Sequence, residues 1–347
     1  MKRVAILCGG PGSEHEISCL SAGGVLSAIN RDEYEPILIG ITRQGEWMAL
    51  PLDYPLALEN GTLPSVSGNY PEVVRGKNEI TVGGAQLAID VIFPVLHGTY
   101  GEDGQLQSDL DQIGIPYVGS GAVASETAMD KSESKTFFSS AGIAIASGIT
   151  VTESEWKRHP ETVTESIQPL GLPLFVKASR GGSSRGTVKV KEISHFAAAM
   201  EEALSFDSKV LIESAINGAE VECAVLEIDG KAQASIPGKV WIDPHYEFYD
   251  YQAKYLDGAT RIDIPAPFDA AIIEKVRSYA LIAFTAIGAK GLARVDFFVT
   301  DAGEIIINEI NTMPGFTRTS AYPKMWQATG IGYSEVITHL LKSALVR

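Results

Sequence analysis

The sequence predicts a parallel α/β region at the amino terminus followed by α+β structure, and three observations carry that reading. Over the first third of the 347 residues, short apolar runs alternate with helical segments. From Lys209 onward, strand patterns dominate. Gly291 to Gly315 then reads as a hairpin of two apolar runs, each interrupted by polar groups two residues apart. Strand–helix alternation argues for a largely parallel sheet with helices on its faces. A chain of this length exceeds one ordinary core, so two or three domains are expected. The changes of pattern place boundaries near residues 125 and 210, giving units 1–125, 126–210 and 211–347.

Val4 to Cys8 reads as a buried strand, Glu16 to Ile29 as a helix and Tyr34 to Thr42 as a second strand. Pro51 to Gly84, rich in Pro, Gly, Asn and Ser, reads as an elaborated loop with a short hairpin. Val91 to Leu96 is a strand and Gly104 to Ile113 the helix after it. Met129 to Gly142 looks helical, a short strand lies near Ile149, and a helix starts near Glu153. Leu172 to Lys177 is a buried strand, followed by the loop Ala178 to Gly186, the strand Thr187 to Val190 and a helix over Ser194 to Leu204. Val210 to Glu213, Glu220 to Ile228 and Ala232 to Val240 follow as strands. A helix over Asp269 to Ile287 leads into the hairpin. No internal repeat is evident.

The composition, 45% hydrophobic and 20% charged, is that of a soluble globular enzyme. Lys and Arg total 28 against 43 Asp and Glu, a net charge of −15. That excludes a general nucleic-acid binder, which needs a basic surface, while leaving room for phosphate in a local cleft. Cys8, Cys19 and Cys223 have no metal or redox spacing, and Cys8 and Cys223 in apolar surroundings are expected to be free buried thiols. The apolar run after Met1-Lys2-Arg3 ends at Cys8, too short for a signal sequence, and no stretch of about 18 apolar residues occurs. A cytoplasmic protein that neither spans nor binds a membrane is expected.

In the hairpin, Arg294 and Asp296 share one strand face, as do Glu309 and Asn311. With Thr300-Asp301-Ala302-Gly303 as the link and Val299 opposite Glu304, Arg294 stands opposite Glu309 and all four polar residues face one way. A link one residue shorter or longer would split them between faces. Two carboxylates, an amide oxygen and a guanidinium suit a hard divalent cation and anionic phosphate. The alternative is a pair of core salt bridges, but burying such charges without a ligand costs on the order of several kcal/mol per ion.

Gly9-Gly10-Pro11-Gly12-Ser13-Glu14-His15-Glu16 follows a strand and opens a helix, with Ser13 and Glu16 spaced as a capping box. Its glycine spacing is wrong for a dinucleotide site. Glu14 there suits an ammonium group better than a phosphate; alternatively it is a solvated first-turn acid. His97 ends a strand, so its loop and the Gly9 loop would line one crevice at the carboxyl edge of the sheet. His97 reads either as a participant there or as a hydrogen-bonded residue ordering the loop. Lys177 precedes the glycine-rich run Arg180 to Gly186, a pattern for phosphate distinct from the P-loop, or else a hairpin turn. Lys131 and Lys254 are further phosphate partners or surface lysines. Glu213 and Glu220 flank a possible edge segment for a ribose and a base.

Together these segments resemble the D-alanine–D-alanine ligases of the ATP-grasp superfamily. The residues that carry it are GGPGSEHEIS, LHGTYGEDG, Met129-Asp130-Lys131, VKASRGGSSRG, EFYDYQAKY, LARVDFFV and NEINTMPGFT. The resemblance implies an N-terminal α/β domain followed by an ATP-grasp fold of two α+β subdomains clasping ATP. It implies that Lys131 and Lys177 hold phosphates, with Lys254 reaching the γ-phosphate. Glu213, the backbone of Ile216, and Glu220 would hold adenine and ribose. Asp296, Glu309 and Asn311 would hold two Mg²⁺ or Mn²⁺ ions, with Glu309 shared. Glu14 would bind the ammonium of the first D-alanine; Arg294 and the Gly315 N–H would stabilise an oxyanion; Ser320 would contact the second substrate's carboxylate. Ser183, Tyr255 and Glu14 match the hydrogen-bonded set that fixes a loop over the site. Ala178, Arg185 and Ser214-Ala215 depart from the commonest family pattern, which bears on nucleotide affinity and loop rigidity.

The implied reaction joins two D-alanine molecules through a D-alanyl phosphate, giving D-alanyl-D-alanine, ADP and phosphate for peptidoglycan synthesis. The family further implies a homodimer. The competing expectations are a ligase taking D-lactate or D-serine as second substrate, and a non-catalytic nucleotide-binding protein on the same fold.

Overall fold

The computed structural model describes residues 1–59, 61–182, 184–242 and 260–346. Ser183, Lys254 and Tyr255, three of the expected site residues, lie outside them. The chain begins with β1 (Lys2–Gly9), α1 (His15–Ala28), β2 (Tyr34–Ile41), β3 (Trp47–Leu50), β4 (Val73–Gly76), β5 (Glu79–Val82), β6 (Ala85–Leu87), β7 (Val91–Pro94) and α2 (Gln105–Ile113). It continues with α3 (Ala122–Met129), α4 (Lys131–Ser140), β8 (Gly148–Thr152), α5 (Glu153–Arg158), α6 (Pro160–Ser166), β9 (Leu174–Ala178), β10 (Thr187–Val190), α7 (Phe196–Leu204) and β11 (Lys209–Ser214). Then follow β12 (Gly218–Ile228), β13 (Lys231–Ala234), β14 (Gly238–Ile242), β15 (Thr260–Asp263), α8 (Ala270–Ala286), β16 (Leu292–Thr300), β17 (Ile305–Asn311), α9 (Ala321–Thr329) and α10 (Tyr333–Leu345).

The first sheet has the order β3-β2-β1-β7, with β1 parallel to both neighbours and β3 antiparallel at the edge. Residues of β1 alternate between two cores. Val4, Ile6 and Cys8 face α1 and the returning helices α9 and α10, whereas Ala5 and Leu7 face α2. Both faces are covered, which explains an unbroken apolar run instead of an alternating one. The stretch from Pro51 to Gly84, expected as loop with a short hairpin, contains β4 and β5, extended by β6 into a small antiparallel sheet.

The second sheet, β10-β9-β11-β8, packs against α5, α6 and α7 through Trp156, Phe196 and Met200. The third, β15-β14-β12-β16-β17 with β13 on β12, packs against α8. Two expected elements are divided. The helix expected over Met129 to Gly142 breaks at Asp130, whose extended backbone ends α3 and whose side chain caps α4 by accepting from Glu133 N. The strand expected over Ala232 to Val240 splits into β13 and β14 around Pro237, which has no N–H for a ladder. The capping box expected from Ser13 and Glu16 is absent. Glu14 takes the cap position without a side-chain hydrogen bond to the helix start, and Glu16 instead pairs with Arg43. A capping box does form at Thr152 and Glu155. All three cysteines are free and buried.

The hairpin departs from the expected register in an informative way. Near the turn, Val299 pairs with Ile305 and Phe297 with Ile307, one residue later than expected. Continued regularly, that register would put Asn308 opposite Asp296 and turn Glu309 into the core. A β-bulge intervenes between Asp296 and Phe297, so Asp296 opposes Glu309 and Arg294 opposes Asn311. The four polar residues therefore share a face, but Arg294 stands opposite Asn311, not Glu309. The burial pattern shows the same step: Ile305, Ile307 and Ile310 enter the core while Asn308 and Glu309 are both half-buried.

Candidate active site

Two cavities adjoin the polar face of β16 and β17. One, of about 550 Å³, is lined by Glu14, His97, Glu102, Arg294, Asn311, Gly315 and Ser320 among others. The other, of about 330 Å³, is lined by Lys135, Lys177, Glu213, Ile216, Glu220 and Asp296 among others. Lys131 and Glu309 line both. The expected site residues that are described thus divide into two groups meeting at one ion pair, Lys131 Nζ to Glu309 Oε2 at 3.3 Å.

The lysines come from two elements. Lys131 and Lys135 lie one helical turn apart on α4 and so share a face, while Lys177 comes from β9. Asp130 fixes the start of α4. It accepts from Ser132 and Ser179 and pairs with Arg180 and Lys209, and despite its burial these partners hold it well below the usual carboxylate range. Lys131 Nζ also donates to the Gly181 carbonyl at 2.6 Å, tying the glycine-rich run to the junction. Glu213 is buried between two ammonium groups: Lys135 on Oε1 and Lys177 on Oε2 at 2.9 Å. Burial alone would raise its carboxyl, but Lys177 and Lys135 outweigh it and hold it at about 2. Burial pulls Lys135 down from the ordinary lysine range; for Lys177 the Glu213 charge overcomes burial and the shift is upward. Lys177 Nζ additionally donates to Asn308 Oδ1 at 3.3 Å, the residue that the bulge brings to this side.

On the hairpin, Arg294 grips Asp296 with both fork arms, Nε to Oδ1 at 2.8 Å and Nη2 to Oδ2 at 2.7 Å. Asn311 Nδ2 also donates to Asp296, at 3.1 Å. Arg294 Nε lies 3.4 Å from Glu222 Oε1, a buried carboxylate on β12 directly across from Asp296. Asp296, Glu309 and Asn311 offer only oxygen ligands, and the two carboxylates are each held by a cation of the chain itself. That donor set fits hard divalent cations. Among the described residues no group of three or more His, Cys, Asp and Glu forms a metal cluster, and the third oxygen here is an amide.

At the far wall, Glu14 is buried, which rules out the solvated first-turn alternative. His97 is buried and hydrogen-bonded on both ring nitrogens. The Met313 carbonyl can only accept, so Nδ1 carries the proton at 2.9 Å, and Nε2 accepts from Ser21 Oγ at 2.8 Å. Burial lowers its pKa, keeping the ring neutral. His97 therefore orders the loop after β17. Glu102 does the same through its oxygens, which accept from Gly98 N at 2.6 Å and Met313 N at 3.0 Å. Burial, then the nearby Glu14 charge, push Glu102 up to about 8. Ser320 Oγ accepts from Thr317 N at 3.1 Å and closes the turn that places Gly315.

The family model for the D-ala D-ala ligase N-terminus matches residues 3–120, and that for the D-ala D-ala ligase C-terminus matches residues 137–342. The chain belongs to the D-alanine–D-alanine ligase family. It is 44% identical to the D-alanine–D-alanine ligase of Pseudarthrobacter chlorophenolicus over 99% of this chain and 94% of the relative. The corresponding protein of Mycolicibacterium vanbaalenii is also 44% identical, covering 99% and 97%. Among solved structures, the D-Ala:D-Ser ligase VanG of Enterococcus faecalis superposes with a TM-score of 0.87 at 34% identity, covering 99% of both chains. The D-alanine–D-alanine ligase of Coxiella burnetii gives 0.86 at 30% identity, covering 100% and 94%. The ATP-grasp architecture expected from the sequence is that of these ligases.

Sequence reasoning gave no role to Lys135, Glu222, Glu102 or Asn308. Two of these had visible signals. Lys135 follows Lys131 at i+4 on a helix, and Glu222 follows Glu220 at i+2 on a strand. Asn308 had none, because its place depends on the bulge. No helix among the described residues is long and apolar enough to cross a membrane.

Proposed function

We propose that this chain is an ATP-dependent ligase that joins two D-alanine molecules through a D-alanyl phosphate, for peptidoglycan precursor synthesis. The observation that carries this reading is the junction of two cavities at Lys131 and Glu309. ATP in the lysine-rich cavity would present its γ-phosphate at that junction, with Lys131 and Lys177 on the phosphates and Glu213, Ile216 and Glu220 on adenine and ribose. Lys254 would reach the same phosphate. The first D-alanine would lie in the larger cavity, its ammonium on Glu14 and its carboxylate turned toward the junction.

Phosphoryl transfer to that carboxylate gives the acyl phosphate, and the amine of the second D-alanine then attacks the acyl carbon. Arg294 and the Gly315 N–H would receive the developing oxyanion, a contribution of roughly 2.7–4 kcal/mol per donor in comparable sites. Ser320 would hold the second carboxylate, and Ser183 and Tyr255 would act with Glu14 to close the site against water. Two Mg²⁺ or Mn²⁺ ions held by Asp296, Glu309 and Asn311 would neutralise charge on the transferring group. The units 1–125, 126–210 and 211–347 are proposed as its domains, working as a cytoplasmic homodimer.

D-Alanine is the preferred second substrate because the relatives from Pseudarthrobacter chlorophenolicus and Mycolicibacterium vanbaalenii, each 44% identical over 99% of this chain, are D-alanine–D-alanine ligases. The test is product analysis by mass spectrometry with ATP, Mg²⁺ and D-alanine in competition with D-serine and D-lactate. D-Alanyl-D-alanine is expected to dominate from pH 6 to 9, and Glu309→Gln is expected to lower phosphate release by about a hundredfold or more. A dominant mixed dipeptide or ester would reassign the second substrate, and full activity of Glu309→Gln would reject the metal assignment.

A further inference from the structure

Lys177 turns its full charge to a nucleotide phosphate only by loosening its pair with Glu213. Its ammonium lies 2.9 Å from Glu213 Oε2 and 3.3 Å from Asn308 Oδ1. Releasing it would ordinarily strand a carboxylate whose side chain is only 3% exposed, a large penalty for an unpaired buried charge. Here the other oxygen of Glu213 is already paired with Lys135, which is 5% exposed and reaches the cavity from α4 on the same face as Lys131. Lys135 is placed differently from Lys131 and Lys177. Its only ion-pair partner among the described residues is Glu213, and its burial on the wall of the helix leaves it little freedom to follow a ligand.

We propose that Lys135 is a positioning residue: a standing counter-ion for Glu213 that frees Lys177 to move from that carboxylate to the nucleotide phosphate. The inference rests on the nucleotide reading of the smaller cavity given above. Without Lys135, Lys177 becomes the sole ion-pair partner of Glu213 among the described residues, and each phosphate contact it makes is opposed by the loss of that pair. With Lys135, Glu213 remains ionised and oriented in both states, and the exchange at Lys177 is between two anions of comparable attraction. Lys135 acts through Lys177, not by touching the nucleotide.

This differs from a simple attraction between Lys135 and the phosphates, and a double-mutant cycle separates the two. ADP binding is measured by calorimetry for the wild type, Lys135→Met, Lys177→Met and the double variant, with thermal melts confirming the fold. Lys135→Met is expected to weaken ADP binding by about tenfold in the wild-type background and by less than about threefold in the Lys177→Met background. Equal losses in both backgrounds would overturn the proposal in favour of plain long-range attraction, as would unchanged affinity in Lys135→Met. Lys135→Arg, which keeps the charge, is expected to restore binding to within about threefold of wild type. Should Lys135→Met fail to fold, Lys135→Gln carries the same expectations while leaving Glu213 a hydrogen-bond donor. A wild type that does not bind ADP would reject the nucleotide reading itself, an outcome distinct from failure of the cycle.

Discussion

Glu102, half-buried, and Glu213, buried, are carboxylates on the walls of adjoining cavities, and their surroundings push them in opposite directions. Glu102 is compensated by two backbone N–H groups and faces the charge of Glu14, so its carboxyl rises to about 8. Glu213 is compensated by two ammonium groups and falls to about 2. Burial opposes ionisation at both positions; the partners decide which wins. The N-terminal region around His97 and Glu102 thus fixes backbone, with neutral hydrogen bonds reaching across to Met313. The lysine-rich region keeps full charges in place.

The largest test of that contrast is Glu213→Gln. It leaves Lys135 buried and Lys177 half-buried with no carboxylate between them, and breaking a buried pair in this way costs about 3–5 kcal/mol. The midpoint of urea unfolding at pH 7, at unchanged slope, reads the loss. A change under about 1 kcal/mol would place Glu213 among ordinary surface pairs and remove the distinction.

Glu102→Gln probes the other side, through pH. Because its folded-state value lies above the unfolded 4.5, the folded chain keeps a proton that the unfolded chain releases. Its contribution to stability is therefore present below pH 4.5 and is lost as pH rises toward about 8. Glu213 has the opposite sign, with stability present above pH 4.5 and lost as pH falls toward about 2. Glu102→Gln should flatten the decline between pH 5 and 8, by on the order of a few kcal/mol at the upper end. An unchanged pH profile would mean that the two backbone donors already suffice to keep Glu102 ionised.

Much of this arrangement was legible in the sequence, where chemistry and period coincide. Arg294, Asp296, Glu309 and Asn311 reach one face because each pair has strand spacing, and Glu14 and His97 reach one crevice because both follow strands of a parallel sheet. What was not legible depended on three-dimensional exchange of partners. Thr300 to Gly303 gives no sign that the ladder begins one residue late, nor that a bulge at Asn308 compensates immediately before Glu309. Ser13 and Glu16 have capping spacing, yet Arg43 from another strand end takes Glu16 away. Asp130 within an apparently helical run reads as a weak helix former, but Ser179, Arg180 and Lys209 make it the cap that sets the direction of α4. In each case a distant partner outweighs a local preference.

The smallest expected effect decides what holds the bulge. Asn308 is the inserted residue, and its side chain accepts one hydrogen bond, from Lys177 at 3.3 Å. The turn independently fixes the register on one side, with Thr300 N donating to Glu304 O and Gly303 N to Thr300 O. On the other side, Glu309 opposite Asp296 is fixed by Lys131. If these two anchors set the insertion, Asn308→Ala loses only the bond to Lys177, about 0.5–1.5 kcal/mol of stability. Ligase turnover should then stay within about twofold of wild type, because Asp296, Glu309 and Asn311 keep their places. If the Asn308 side chain itself holds the bulge, the strand slips by one residue and Glu309 turns toward Val295 and the core. Activity would then collapse together with stability, and a crystal structure of the variant would show residue 308, not Glu309, opposite Asp296. A small stability loss with intact turnover assigns the register to the turn and to Lys131.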